Sequence, residues 1–524
     1  MKLYDTTLRD GAQSEDVSFS LEDKIRIARI LDDLGMHYIE GGYPGSNPRD
    51  AEFFHAFQRQ PLRHARLSAF GMTRRSGIVA EKDENLRCLL SAQTPVITVV
   101  GKTWDFHVTE ALRISLDENI ELIADSLRYL STRVDEIVYD AEHFFDAYRH
   151  NRDYAMQTLR AAVDGGAKVL ALCDTNGGTM PWDVETGVAA VCAAFPDVSV
   201  GIHCHNDGDV AVANSMAAVR AGANHIQGTI NGIGERCGNA NLVSLGANLS
   251  LKMDEPVFDA EQLRKLTKVS DLVYELANMR PNKRQPYVGR SAFAHKGGMH
   301  VSAVQRAALT YEHIDPAQVG NQRRILVSDL SGRSNVLFKA REFGIDLDSA
   351  GPQASAVLEK LKEMEARGYQ YEGADGSFEL LMKRTLGQHK TFFRLIGFRV
   401  IDEKRTGDQE PISEASIQIE VDGEVAHTVA MGDGPVNALD RALRKALQTF
   451  YPELATVELL DYKVRVVTSN RGTDAVVRVL VESGDGEDKW GTVGVSENIV
   501  EASWQALVDS FDYRLFKSEK QGER

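Results

Sequence analysis

The first half of the chain alternates short apolar runs with amphipathic segments, and this alternation restricts the fold more than any other feature. The helical segments have suitable ends, such as Ser20 as an N-cap and Gly35 as a C-cap. Strands that alternate with helices form parallel sheets. Eight such units within residues 1–254 predict an α/β fold, a TIM barrel. The strand candidates are residues 2–4, 37–40, 66–70, 96–100, 136–139, 168–172, 198–202 and 225–230.

An open, doubly wound sheet is the alternative fold, but no GxGxxG motif follows the first strand. After residue 254 the apolar pattern becomes interrupted and helical, which predicts a mainly helical linker region over residues 255–390.

The chain is β-rich from residue 391, and it contains an internal repeat. The segments TVAMGDGPVNALDRAL and TVGVSENIVEASWQAL begin at Thr428 and Thr492 and align without a gap. A period of about 64 residues predicts two βββα units in tandem over residues 391–515. We expect this α+β domain to dock or dimerise, and residues 516–524 to form a polar tail.

Composition limits the partners. The net charge of −16 opposes binding to nucleic acid or to an anionic membrane. The five cysteines are scattered and form no CxxC pair, which is typical of free thiols in a reducing compartment. No stretch approaches the roughly 18 consecutive apolar residues that a membrane span needs. We therefore expect a cytoplasmic protein without a nucleic-acid or membrane partner.

Polar motifs concentrate at the predicted carboxyl ends of the strands, where TIM barrels carry out their chemistry. Each motif alone could be a turn, a helix-start loop or a Gly-rich connection. Their shared position at one end of the barrel favours an active site. The motifs are DTTLRDGAQ (5–13), DAEH (140–143), CDTNGG (173–178), HCHND (203–207) and NGIGERCGNAN (231–241).

Two histidines stand one residue apart in HCHND. If the segment is a strand, His203 and His205 share one side and Cys204 faces the other. Two imidazoles on one side of a strand end can hold a divalent cation. A half-exposed strand that happens to contain two histidines is the alternative.

The motifs DTTLRDGAQ, HCHND and NGIGERCGNAN together resemble those of the DRE-TIM metallolyase family, in particular its 2-isopropylmalate, homocitrate and citramalate synthases. The tandem βββα units are similar to the C-terminal regulatory domain of that family. The resemblance implies that Asp10, His203, His205 and Asn239 surround one metal ion. A carboxylate, two imidazoles and an amide oxygen suit Mg²⁺ or Mn²⁺, and Zn²⁺ is possible.

The resemblance also implies roles for three residues beside the metal. Arg9 supplies a permanent cation where oxyanion charge develops. Glu142 matches an active-site glutamate that contacts the substrate and helps to arrange the Arg9 side. Thr175 matches a threonine that binds the carboxylate of the substrate.

Two residues of the linker region match a histidine and a tyrosine that the family contributes across a homodimer. These are His300 in GGMH and Tyr311 in TYEHIDP. His300 is the expected acid/base group, because imidazole titrates near neutrality. Tyr311 is expected to orient water or donate a proton, and a packed aromatic beside Pro316 is its alternative role.

The implied reaction is a Claisen-type condensation of acetyl-CoA with a 2-keto acid, followed by hydrolysis of the thioester. The variants EGGYPGSNPRD (40–50), DTNGG (174–178) and GDGPVNALDRAL (432–443) resemble the second type of citramalate synthase. That resemblance implies pyruvate as the keto acid, an acyltransferase of isoleucine biosynthesis, and isoleucine as feedback inhibitor.

The loop formed by Gly432, Asp433, Gly434 and Pro435 opens a predicted helix in the tandem domain. Backbone N–H groups at a helix start can bind a carboxylate, so this loop is the candidate regulatory site. A plain turn before a helix is the alternative.

Other functions stay open at this point. A larger keto acid would make the chain a 2-isopropylmalate or homocitrate synthase. The related lyases cleave acyl-CoA by retro-aldol chemistry, but they are short barrels without the tandem. Metal-dependent amidohydrolases carry their HxH pair at the first strand, whereas here it lies at the seventh. A non-catalytic amino-acid sensor is the alternative from another class.

Overall fold

A computed structural model describes residues 1–59, 61–328, 330–347, 351–404, 407, 410–468 and 475–522 of the chain. They form two compact units. The first comprises Met1–Phe293 and Ile314–Gln322, and the second comprises Ala294–His313 and the chain from Arg323 onward. No helix in the described ranges is long and apolar enough to cross a membrane.

The first unit contains a closed barrel of eight parallel strands, with the last strand paired to the first. The predicted TIM barrel is confirmed. Its strands are β1 (Lys2–Asp5), β2 (Tyr38–Gly42), β3 (Arg66–Met72), β4 (Val96–Lys102), β5 (Glu136–Glu142), β6 (Val169–Asp174), β7 (Ser199–Cys204) and β8 (His225–Gly228).

Helices connect these strands and continue after the eighth. They are α1 (Leu21–Leu34), α2 (Pro48–Arg59), α3 (Glu84–Ser91), α4 (Asp105–His107), α5 (Leu116–Ser131), α6 (Phe144–His150), α7 (Arg152–Asp164), α8 (Pro181–Ala194), α9 (Ala211–Arg220), α10 (Leu242–Lys252), α11 (Ala260–Arg264) and α12 (Leu266–Leu276).

The ends of α1 follow from its sequence. Ser20 and Asp23 form a capping box in which each side chain accepts a hydrogen bond from the backbone N–H of the other. Gly35 ends the helix with φ of 93°, a left-handed conformation that costs glycine little. Both predicted caps are confirmed.

The barrel interior becomes polar toward the carboxyl ends of its strands. Tyr4, Tyr38, Val96 and Val138 form a buried apolar cluster. The strands β2, β4 and β5 carry Glu40, Thr98 and Asp140 two residues after Tyr38, Val96 and Val138, and β8 carries Gln227. All four polar residues are buried. The barrel therefore has an apolar floor and a polar upper layer.

The second unit contains helices and antiparallel sheets. Its elements are β9 (Ala294–His295), α13 (Gly298–Arg306), β10 (Arg324–Ile325), α14 (Arg333–Glu342), α15 (Pro352–Ala366), α16 (Asp375–Thr385), β11 (Arg394–Glu403), β12 (Ile412–Val421), β13 (Glu424–Gly432), α17 (Pro435–Leu447), β14 (Glu458–Val466), β15 (Val477–Gly484), β16 (Lys489–Ser496) and α18 (Ile499–Gly522).

The repeat in the sequence corresponds to a repeat in the fold. Strands β11–β13 form one antiparallel sheet and β14–β16 form another, and a helix follows each sheet. The predicted pair of βββα units is confirmed. In the first sheet, Ala415, Ile417 and Ile419 of β12 lie in one hydrophobic cluster with Leu439 and Leu443 of α17.

The other faces of the two sheets differ. Val493 and Val495 of β16 pack into a cluster with Leu361 of α15 and Met382 of α16, so the linker helices cover the second sheet. In the first sheet, the corresponding face carries partly exposed apolar side chains on its two outer strands. These are Ile401, Val425, Val429 and Met431.

The structure places two boundaries differently from the sequence expectation. The first unit extends past residue 254, because Leu263, Leu266 and Val273 belong to the same hydrophobic core as the barrel. The region 255–390 is thus divided between the two units. Helix α18 extends to Gly522, inside the expected polar tail of residues 516–524, and Phe516 at the start of that tail is buried.

Candidate active site

The site is a cavity of about 310 Å³ at the carboxyl ends of the barrel strands. Six of the predicted site residues line it together: Arg9, Asp10, Glu142, Thr175, His203 and His205. Tyr43, Phe70, Met72 and Val100 contribute apolar surface to the same cavity.

Three of these residues form a compact group of metal-binding atoms. Asp10, His203 and His205 each offer one ligand atom, and the three atoms lie within 4.8 Å of one another. His203 Nε2 is 3.3 Å from Asp10 Oδ2, and the two imidazole centroids are 5.3 Å apart. His203 lies at the end of β7, and His205 follows it on the same side, as the alternation in a strand predicts.

Asn239 completes this group from the loop after β8. It pairs with His205 in an isolated antiparallel bridge, and its Nδ2 donates to Asp10 Oδ1 over 3.1 Å. Two buried atoms here, Nδ1 of His205 and Oδ1 of Asn239, have no hydrogen-bond partner among the residues that the structure describes. Leaving buried polar atoms unpaired costs free energy, so a ligand that accepts both lone pairs fits the site. The four residues thus suit a divalent metal ion.

The protonation states of Asp10 and His205 agree with metal binding. Burial raises the pKa of Asp10, but Arg9 and His203 outweigh this effect and hold that pKa well below its usual range. Burial and the neighbouring His203 lower the pKa of His205 to about 4. Asp10 is therefore anionic and His205 neutral near pH 7, which are the forms that bind metals.

Arg9 is fixed by carboxylates on two sides. Its Nε donates to Glu40 Oε2 over 2.6 Å, and its Nη1 donates to Asp10 Oδ2 over 3.0 Å. Its guanidinium carbon lies 4.0 Å from the centroid of the Phe70 ring. Tyr4 in turn donates from its hydroxyl to Glu40 Oε1 over 2.7 Å. The guanidinium is thus held rigidly beside the metal-binding group.

His203 is oriented by an amide. Its Nδ1 lies 2.8 Å from Oε1 of Gln227, and Gln227 donates from Nε2 to Asp140 Oδ1 over 2.8 Å. Because the Gln227 oxygen is an acceptor, Nδ1 carries a proton, while Nε2 faces Asp10 Oδ2. Burial lowers the pKa of His203, but the hydrogen bond to Asp10 and its charge outweigh burial and raise that pKa, so a metal ion at Nε2 competes with a proton. A partner of this kind fixes the tautomer of a metal-binding histidine.

Glu142 lies at the end of β5, and its carboxylate forms an ion pair with Lys102. The Arg9 guanidinium is bound by Glu40 and Asp10, and Glu142 lines the same cavity. Thr175 Oγ1 accepts a hydrogen bond from the backbone N–H of His143 over 2.8 Å. Both side chains remain at the cavity wall.

His300 and Tyr311 lie in the second unit, where their rings stack with centroids 4.0 Å apart. Both are exposed, Tyr311 to 44%. The next residue, Glu312, is buried; its carboxylate accepts hydrogen bonds from Arg323 and lies 3.1 Å from His295 Nε2.

The loop Gly432–Pro435 joins β13 to α17, as predicted. Gly434 occupies the N-cap position, where no side chain caps the helix. In the second βββα unit, the side chain of Asn498 accepts from Val500 N and caps the equivalent helix. The first helix start therefore keeps more of its N–H groups available for a ligand.

Sequence reasoning missed three residues of the site: Glu40 as the partner of Arg9, Gln227 as the partner of His203, and Lys102 as the partner of Glu142. Each interrupts or ends an otherwise apolar strand. A single charged or amide residue inside a buried strand needs a partner, and that signal could have identified them.

Three family models match successive parts of the chain. Residues 1–273 match the HMGL-like family, and residues 287–369 match the homocitrate synthase post-HMGL domain-like family. Residues 372–515 match the LeuA allosteric (dimerisation) domain. The barrel and its site are thus of the HMGL-like class.

Curated relatives match over nearly the whole length. The (R)-citramalate synthase of Geobacter sulfurreducens is 61% identical over 520 residues, 99% of this chain and 98% of that protein. The (R)-citramalate synthase of Aquifex aeolicus is 53% identical with the same coverage. The 2-isopropylmalate synthase of Methanocaldococcus jannaschii is 31% identical, over 99% of this chain and 95% of that protein. The chain belongs to the HMGL-like family and, within it, to the family of the (R)-citramalate synthases.

Proposed function

We propose that this chain is an (R)-citramalate synthase that joins acetyl-CoA to pyruvate. The methyl carbon of the acetyl group loses a proton and bonds to the keto carbon of pyruvate. Water then hydrolyses the thioester, which releases citramalate and CoA. The observation that carries the proposal is the buried group of Asp10, His203 and His205 beside Arg9, in a chain that is 61% identical to a protein of this name.

The site residues suit a divalent cation, Mg²⁺ or Mn²⁺ with Zn²⁺ possible. Asp10, His203, His205 and Asn239 would hold it, because two of their buried atoms have no hydrogen-bond partner. When bound, such a cation supplies a Lewis acid that polarises the keto carbonyl. Gln227 holds the His203 ring through Nδ1, so that Nε2 points at Asp10, where the cation would bind.

Arg9 provides the fixed positive charge of the site. Glu40 and Asp10 hold its guanidinium, so it needs no reorientation when negative charge develops on the keto oxygen. Because Glu40 and Asp10 neutralise Arg9, the cation held by the proposed ligands would have to supply the net positive charge that attracts an anionic substrate against the net charge of −16.

Two wall residues are proposed to bind pyruvate. The Thr175 hydroxyl accepts from His143 N and can still donate its own hydrogen, which suits a substrate carboxylate. Glu142 faces the same cavity, and Lys102 neutralises its charge. A glutamate without that partner would repel the substrate anion.

We propose that His300 and Tyr311 act in the barrel of a second subunit. Their stacked rings are exposed in the second unit, where another subunit can contact them. His300 then serves as the acid/base group, and Tyr311 orients water or donates a proton.

The homodimer is proposed to bury the bare face of the first sheet. Ile401, Val425, Val429 and Met431 expose apolar surface there, whereas helices cover the equivalent face of the second sheet. Exposed apolar groups of this kind mark interaction surfaces. The match of residues 372–515 to a dimerisation domain supports the same conclusion.

Isoleucine is the proposed feedback inhibitor, and the loop Gly432–Pro435 is its proposed contact. The uncapped start of α17 offers backbone N–H groups to a carboxylate. The five cysteines are free thiols in the structure, which suits the proposed cytoplasmic location.

The proposed reaction is tested by measuring CoA release from acetyl-CoA with pyruvate, 2-ketoisovalerate and 2-ketoglutarate in turn. We expect release with pyruvate to exceed the others. A hydrophobic pocket discriminates by only about 1–3 kcal/mol per methylene, so kcat/KM must be compared rather than single rates. A preference for 2-ketoisovalerate would support a 2-isopropylmalate synthase instead. Absence of CoA release with all three acids would favour the alternative that the chain is a non-catalytic amino-acid sensor.

A further inference from the structure

A second group of metal-binding side chains lies at the rim of the barrel. His107 of α4, Glu142 at the end of β5 and the adjacent His143 each offer one ligand atom, and the three atoms lie within 4.8 Å of one another. We call these residues the rim cluster. Their side chains are 25%, 21% and 14% exposed, so the cluster is reachable from solvent but mostly enclosed.

We propose that the rim cluster binds a second metal ion, a transition metal typified by Zn²⁺. This ion inhibits the enzyme because it binds the Glu142 carboxylate, which is then no longer available to the active site. Two imidazole nitrogens and one carboxylate oxygen are an established ligand set for zinc with an open fourth position. Mg²⁺ prefers oxygen ligands and is not expected to bind here.

The geometry around the two histidines favours binding. His107 Nδ1 is 4.0 Å from Glu142 Oε2, and the two imidazole centroids are 5.3 Å apart. His143 Nδ1 lies 3.2 Å from Asp146 Oδ2. A carboxylate there holds the proton on Nδ1, so Nε2 is free to bind the metal. Asn176 donates to the same Asp146 oxygen over 3.0 Å and holds that carboxylate in place.

Lys102 competes with a metal ion for the Glu142 carboxylate. Its ammonium forms an ion pair with the Glu142 carboxylate, so a metal ion must displace it. Glu142 and Lys102 both line the cavity that contains Asp10 and His203. Binding at the rim therefore changes the charge and position of a proposed substrate contact. This consequence rests on the proposed function, whereas metal binding itself does not.

The first test counts zinc ions. Metal-free full-length protein is titrated with Zn²⁺ against a chromophoric chelator. We expect two sites in the wild type, one in Asp10→Ala, one in the double variant His107→Gln/His143→Gln, and none when all three changes are combined. His55→Gln, an exposed histidine of α2, is the matched control and should keep two sites.

The second test separates the roles of Asp146 and Lys102. Asp146→Asn should weaken zinc binding at the rim by about 10-fold or more, which is the usual cost of losing such a partner. Lys102→Met keeps the aliphatic stem but removes the competing charge, and it should tighten rim binding. Loss of zinc affinity in Lys102→Met would contradict the competition.

The inhibition is measured as CoA release at saturating Mg²⁺ with increasing Zn²⁺, each variant relative to its own activity without zinc. We expect His143→Gln to need at least about 10-fold more Zn²⁺ for half inhibition than the wild type or His55→Gln. Equal inhibition of all three would overturn the inhibitory role. A single zinc site that Asp10→Ala removes would overturn the rim site itself. If the wild type releases no CoA at all, the proposed function fails, but the zinc counts still decide the rim site.

Discussion

Asn239 donates a hydrogen bond to Asp10 over 3.1 Å, although 229 residues separate the two in the chain. They lie on the loops after β8 and β1, which become neighbours because the barrel closes between these strands. The amide oxygen of Asn239 is buried and has no hydrogen-bond partner within the described part of the chain. Closure of the barrel thus brings together a carboxylate and an amide oxygen that can share one cation.

This relationship predicts the behaviour of Asn239→Asp. Without metal, the new carboxylate repels Asp10, so the melting temperature should fall by a few degrees. With Mn²⁺, the extra negative ligand should bind the cation more strongly, so the metal-induced rise in Tm should exceed that of the wild type. Differential scanning fluorimetry in EDTA and in Mn²⁺ measures both values. Asn206→Asp adds the same charge nearby and is the control; an equal metal response in all three proteins would exclude Asn239 as a ligand.

His203→Ala should abolish turnover and largely preserve the fold. The change removes one proposed ligand, and loss of even an outer partner of a metal-bound histidine costs about 10–100-fold. We therefore expect CoA release to fall by more than about 100-fold, with an unchanged far-UV circular dichroism spectrum. His55→Ala should match the wild type. Full activity of His203→Ala, or of the wild type in metal-free buffer, would refute the metal role.

Mixing two inactive variants tests whether His300 acts across subunits. His203→Ala has a damaged barrel and an intact His300, and His300→Ala has the reverse. If the sites are shared, each mixed dimer contains one intact site. Random exchange should then restore about a quarter of wild-type CoA release, because about half of the dimers are mixed. No recovery after subunit exchange, verified with differently tagged copies, would place His300 in its own barrel.

The bare face of the first sheet predicts the effect of Val425→Glu. Val425 is 59% exposed and lies opposite Glu420, whose charge is paired with Arg394, so a glutamate there should lower the stability of the isolated chain only slightly. At a buried dimer contact, its charge would be desolvated without a partner and should promote dissociation. Sedimentation velocity should detect monomers of Val425→Glu at concentrations where the wild type is dimeric. Val79→Glu, at a position that is 53% exposed in the barrel unit, is the matched control.

Asp5 predicts a pH dependence of stability. Burial raises its pKa to about 7, although Thr7 donates two hydrogen bonds to the carboxylate. In the unfolded chain the pKa of the same group is about 3.9. Between these values the folded state binds one proton more than the unfolded state, so its contribution to the unfolding free energy falls as pH rises, by about 1.4 kcal/mol per unit.

Asp5→Asn removes this contribution. Urea unfolding of both proteins at pH 5, 6 and 7 should show the wild type losing stability relative to the variant as pH rises. A constant difference between the two proteins across this range would mean that Asp5 does not retain its proton in the folded state.

The predicted strands and helices of the barrel correspond closely to the structure because each rests on a local pattern. The apolar runs that became β4 and β6 need only short-range information, and Ser20 and Gly35 define the ends of α1 by their own chemistry. The division of residues 255–390 was not predictable in this way. Leu266 and Val273 have the same helical spacing whether they pack on the barrel or elsewhere.

The chain order of polar motifs determined that Asp10, His203, His205 and Asn239 lie at one end of a barrel, because parallel strands place all their carboxyl ends together. Only the tertiary structure decided the partners within that end. Glu40 binds Arg9 and Gln227 binds His203 because β1 pairs with β2 and β7 with β8 in the folded sheet, in a register that brings these side chains together. The packing of α15 and α16 likewise covers one sheet and leaves the other bare, a difference that the repeated sequence does not contain. Local patterns follow from neighbours in the chain, whereas these contacts depend on which surfaces meet after folding.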